Sequence, residues 1–65
     1  MDPYQEVAED FIAQVAEAVR LGTRTTRGDF LLQMALVKAQ EEIAGLNAGR
    51  SLAEIRDTER AEQDR

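Results

Sequence analysis

The chain has no cysteine, no histidine and no tryptophan, and a single proline in 65 residues. Without cysteine no disulfide can staple it, and without cysteine or histidine the usual structural zinc site has no ligands. The same gaps remove the side chains that most often serve as general base or thiolate nucleophile at neutral pH. Ser51 is the only serine and stands where a helix should start, so it reads as a cap. No apolar run approaches the ~20 residues that cross a bilayer, and Met1-Asp2-Pro3-Tyr4 lacks the basic start and apolar core of a signal peptide. These absences point to a cytoplasmic protein with no cofactor, no metal, no membrane partner and no enzymatic role. Lys38 is the only lysine, and the bias to arginine and alanine suggests a GC-rich bacterial or phage genome.

What is present is acid and apolar surface in a short chain. Thirteen acids against eight bases leave a formal charge of −5, which disfavours broad binding to nucleic acid. A chain this short struggles to bury enough apolar area to offset about 1–2 kcal/mol of backbone entropy per residue. With disulfide and zinc excluded, oligomerisation is the expected support.

The first segment opens with Asp2 as N-cap, Pro3 at the first helical position and Gln5 in capping-box register. Tyr4, Val7, Ala8, Phe11, Ile12, Val15, Ala18 and Val19 follow at the three-and-four spacing of one helix face. Acids fill the early turns, Arg20 sits in the last, and Gly22 supplies a residue without a β-carbon for the exit. A helix over about 3–21 is predicted. A second, over about 27–47, starts near Thr26, with Thr23 and Thr25 as rival caps and Asp29 favourable to the helix dipole. From Phe30 to Val37 only Gln33 is polar, so this helix is expected to meet neighbours on more than one side. Gly45 and Asn47 weaken it before Gly49 stops it.

Ser51-Leu52-Ala53-Glu54 is a further capping box, but only Leu52 and Ile55 follow as large apolar residues. A short helical segment over about 51–60 should dock by one turn. The polar remainder, with i,i+3 pairs Arg56/Glu59, Asp57/Arg60 and Glu62/Arg65, is expected to be a solvated helix or disordered. The expected organisation is all-α: a helical hairpin over 1–49 and a charged tail over 50–65, two hairpins forming a dimeric four-helix bundle. Phe11, Val15, Phe30, Leu31, Met34 and Val37 are the candidate self-association or partner-binding residues. The remaining members of the apolar stripe, Tyr4, Ile12 and Val19 against Ile43 and Leu46, are expected to face one another in the core.

The link between the helices breaks the acidic pattern, with Arg20, Arg24 and Arg27 and no acid between residues 20 and 28. These arginines are candidate contacts for an anion or an acidic partner surface. DNA reading by a helix–turn–helix is disfavoured because Asp29-Phe30-Leu31-Leu32, acidic then apolar, would have to read base edges. Glu6, Glu9 and Asp10 would hold a hard cation only with oxygens from another subunit. The expected function is that of a non-enzymatic interaction module, an adaptor, inhibitor or regulator, whose partners are itself and another protein. The alternatives are a nucleic-acid-associated regulator using the elbow, and an antitoxin-like inhibitor whose C-terminal segment binds a partner.

Overall fold

A computed structural model describes residues 2–64 as three helices, α1 (Pro3–Leu21), α2 (Thr26–Asn47) and α3 (Leu52–Gln63), with no strand among them. Met1 lies outside the described residues, as does Arg65 of the expected Glu62/Arg65 pair. Asp2 and Ser51 cap their helices as expected, but α2 is capped by Thr25 and not by Thr26, which is its first helical residue. The Asp2 carboxylate accepts from the Tyr4 amide at 2.9 Å, the Thr25 hydroxyl from Gly28 at 3.0 Å and the Ser51 hydroxyl from Glu54 at 3.2 Å. Gln5 does not close the first capping box; it donates to Glu9 along the helix surface.

The hairpin turns through Gly22, whose φ of 91° lies in the left-handed region that other residues enter only at a cost. Its amide donates to Val19, and Thr25 then ties the turn down through its own amide and hydroxyl, both donating to the Gly22 carbonyl. Gly28 completes the clasp. A β-carbon there would lie 2.0 Å from the Gly22 carbonyl oxygen and 3.1 Å from that of Ala18, so only glycine allows α2 to leave at this angle.

Apart from Glu42, the fully buried residues of α1 and α2 are small, Val7 and Ala18 on α1 and Gly28 and Ala35 on α2, with Phe11, Val15, Leu31 and Leu32 half-buried beside them. This corrects the expectation that the large residues of the two helices face one another. Tyr4, Ile12, Val19, Phe30, Met34, Val37 and Ile43 all keep at least 41% of their surface exposed. Small residues draw the helix axes together, and the large side chains are then turned to the flanks of the contact.

The third helix runs further than expected, to Gln63, and docks by the expected apolar turn, with Arg56 adding an ionic contact. Leu52 and Ile55 are buried, and Ile55 fits against Gly45, where a β-carbon would lie 2.6 Å from its Cδ1. Gly45 therefore does not end α2, which runs on to Asn47; it makes room for α3. Gly49, with φ 88°, is part of the turn between the two. The shortest extent of the domain is 14 Å, the depth of two helix layers at an axial spacing of about 8–10 Å. The hairpin is one layer and α3, lying chiefly against α2, is the other.

Candidate functional site

The side of the hairpin that carries α3 is ionic. Glu42, on α2, is only 1% exposed, and a carboxylate so buried is tolerated when a cation reaches it. Arg56 of α3 donates to it from Nε at 3.0 Å and to Glu6 of α1 from Nη1 at 3.2 Å, so one guanidinium links all three helices. The hydrogen bond that Arg56 donates to Glu42 raises the Arg56 pKa above its ordinary value. Next to this group, Lys38 bridges to Asp10 at 3.1 Å, and Gln14 donates to the same carboxylate oxygen at 3.0 Å. Glu59 is the weak member. Its Oε1 is buried without a hydrogen-bond partner, and burial, with the charge of Glu42 added, pushes its pKa up.

An open groove of about 390 Å³ runs along this side, lined by Met34, Val37 and Lys38 of α2 and by Glu59, Glu62 and Gln63 of α3. Phe30, Met34 and Val37 fall at i, i+4 and i+7 and form an exposed apolar stripe at its edge.

The opposite side of the hairpin is apolar and carries no ion pair. Helices advance about 100° per residue, so a residue two positions from another points to nearly the reverse side. Ile12 stands two after Asp10, Leu36 two before Lys38, and Ile43 two before Gly45, which places all three away from α3. Val19 repeats Ile12 two turns on. Tyr4 marks the end of this face, its hydroxyl donating at 2.7 Å to the Asn47 side chain across the hairpin. Ile12 and Val19 are 65% and 61% exposed.

The residues singled out from the sequence therefore separate into two groups. Phe11, Val15 and Leu31 are half-buried and belong largely to the hairpin contact, whereas Phe30, Met34 and Val37 are exposed. The face defined by Ile12, Val19, Leu36 and Ile43 was assigned to the core or passed over. Its signal was an excess of apolar residues over what two helices can bury against each other. At the elbow, Arg20 pairs with Glu17 along α1, and that hydrogen bond lowers the Glu17 pKa. Arg24 and Arg27 are exposed and make no ion pair among the described residues. The amide of Gly28 at the start of α2 is already taken by Thr25.

Glu6 and Asp10 are engaged by Arg56 and Lys38, and among the described residues no three potential ligands converge as a metal site would need. No described helix is long and apolar enough to cross a membrane. Comparison with known proteins adds no relative: no family model matches the chain, and no curated protein or solved structure is detectably similar to it.

Proposed function

We propose that this chain is a non-enzymatic protein–protein interaction module that acts as a homo-oligomer. The observation that carries the proposal is the placement of its large apolar side chains: Ile12, Val19 and Phe30 are each more than 60% exposed, while the fully buried apolar positions of the hairpin contact are alanine, glycine and valine, and Phe11 and Leu31 are only half-buried there. A lone exposed apolar residue is ordinary, but contiguous apolar patches on a small protein mark interaction sites. Among the described residues the perturbed groups are engaged structurally: Glu17 and Arg20 pair along α1, and Arg56 and Glu59 sit in the network that docks α3. Sedimentation equilibrium over a wide concentration range, with far-UV circular dichroism on the same samples, tests this directly. A helical dimer or larger species is expected. A chain that stays helical and monomeric at every concentration refutes the homo-oligomer.

A regulator that contacts nucleic acid through the elbow is the second reading, favoured by the unpaired exposure of Arg24 and Arg27. It requires a salt-sensitive DNA shift that Arg24→Ala/Arg27→Ala abolishes. The antitoxin-like reading requires α3 to leave Gly45 and Glu42 in order to engage a target, and a chain cut after Gly49 that still captured the target would exclude it.

A further inference from the structure

Two apolar surfaces are left open on the hairpin, and their chemistry differs. The Phe30–Met34–Val37 stripe is bordered by charge, with Lys38, Glu59 and Glu62 lining the same groove. The face holding Ile12, Val19, Leu36 and Ile43 carries one charge, Asp29, seven residues before Leu36 at the elbow end of α2. The positions between these on both helices, Ala8 and Val15 on α1 and Leu32 and Ala39 on α2, are uncharged. Its edges on the solvent side include the amides Gln5, Gln33 and Gln40.

We infer that a second copy of this chain covers the face of Ile12, Val19, Leu36 and Ile43, the two hairpins packing back to back with each α3 on the outside. The inference rests on the homo-oligomer proposed above and specifies its surface. Symmetry selects the occupant. A two-fold interface is self-complementary, residue i meeting j and j meeting i, so a patch mostly of one sign repels its own copy. The α3 side would bring Glu41, Glu59 and Glu62 of both copies into one interface against Lys38 alone, whereas the Ile12–Ile43 face would bring in only Asp29, at its elbow end. Area agrees with this choice. A compact monomer of 7.3 kDa should expose about 4200 Å², and the chain exposes 4890 Å². The excess of about 700 Å², taken over the whole surface, is of the order of the ~800 Å² that each partner contributes to a standard interface. Covering the Ile12–Ile43 face gives a four-helix core in which the small-residue seam of each hairpin is flanked by the large residues of both. The Phe30 stripe and its acidic groove then remain on the outside.

Paired substitutions separate this inference from the broader proposal. Sedimentation equilibrium is run on the unaltered chain, on Ile12→Glu/Ile43→Glu and on Phe30→Glu/Met34→Glu. Both pairs add the same charge at exposed positions, so neither should prevent the hairpin from folding. The first pair is expected to weaken association by about 100-fold or more, as when charge is buried at an interface centre, and the second by only a few fold. Tyr4 supplies a second readout on the unaltered chain. It is the only tyrosine, there is no tryptophan, and it lies on the inferred face, so acrylamide should quench its fluorescence less as the species associates. An oligomer that Phe30→Glu/Met34→Glu dissociates and Ile12→Glu/Ile43→Glu does not would leave the homo-oligomer standing and overturn this interface. A monomer at all concentrations would remove both. If both pairs dissociate the oligomer, or the first pair also loses helicity, Tyr4 decides: protection on association supports the interface, and unchanged quenching overturns it.

Discussion

Removing the Arg56 guanidinium is the sharpest test of how this fold is held. In Arg56→Ala the Glu42 carboxylate, 1% exposed, loses the cation that makes its burial tolerable. Breaking a buried pair by deleting one partner costs about 3–5 kcal/mol when the remaining charge stays buried. Two features reduce that here. Arg56 is itself 33% exposed, so part of its interaction with Glu42 is screened. In addition, α3 can swing away and let water reach Glu42, which caps the cost at the free energy of docking α3. Leu52 and Ile55 contribute about 1.5–3 kcal/mol each, before the entropy of ordering the segment is subtracted. The expected loss is about 2–3 kcal/mol, a large share of the roughly 3–10 kcal/mol available to a chain of this length. Its form is also specified. The variant should keep the α1–α2 hairpin, lose amide-exchange protection in α3, and show a smaller denaturant m-value because its native state already exposes surface. Glu6→Gln, which removes only the half-exposed arm of the network, should cost about 0.5 kcal/mol. Urea titrations followed by circular dichroism at one fixed protein concentration measure these differences without interference from assembly. If Arg56→Ala were no more harmful than Glu6→Gln, the Glu42–Arg56 pair would not be what docks α3.

Three further outcomes follow from the close contacts and the charge network. Gly45→Ala should lose about 1 kcal/mol by displacing Ile55, despite the ~1 kcal/mol by which alanine favours a helix; in an Ile55→Ala background the same change should become stabilising, and a double-mutant cycle of thermal melts reads the reversal. Gly28→Ala meets backbone rather than side chain, so it should cost about 2–3 kcal/mol in any background and lower the melting temperature accordingly. Burial raises the Glu59 pKa in the folded chain, so the folded state binds more protons than the unfolded one between the ordinary glutamate value and the raised one, and the contribution of Glu59 to stability falls as pH rises through that window. Glu59→Gln should therefore stabilise the chain at neutral pH, and its advantage in urea midpoint should shrink as pH falls through the raised value; an advantage that grew on acidification would contradict the assigned cause.

The helices were legible because their signals are local. Asp2-Pro3, Thr25 and Ser51 are caps that act within three residues, and Gly22 and Gly49 permit the backbone angles that end turns. Helical periodicity also showed where apolar surface lay. It could not show which flank of each stripe would be buried, since that depends on how near the two axes come, and nearness is fixed by Ala18, Gly28 and Ala35 acting across the hairpin. The course of α3 was hidden for a related reason. Its charges satisfy i,i+3 spacing along their own helix, yet Arg56 turns instead to Glu42 and Glu6, fourteen and fifty residues away. Gly45 read from the sequence only as a weak point in α2; its role as the space for Ile55 depends on a contact ten residues away that periodicity does not show.

The same small-residue seam explains why so much apolar surface is left over. Two helices that touch through alanine and glycine bring their backbones close, and a close approach leaves no room between them for Ile12, Val19, Leu36 or Ile43. Such a seam uses little of the apolar area that the sequence carries. A design meant to stand alone at this length would place the large residues inward, where each contributes about 1.5–3 kcal/mol. Here α3 covers one side, but it does so with an arginine, a glutamate and two aliphatic residues, and its strongest anchor is ionic. The remaining side exposes Ile12, Val19, Leu36 and Ile43 and, by helical spacing, carries only Asp29, at its elbow end. The division assigns different work to the two sides. The ionic side fixes the order and angle of the three helices within one chain, because charge pairs demand particular geometry. In the association proposed above, the apolar side supplies the bulk apolar burial that a chain of 65 residues struggles to obtain from itself.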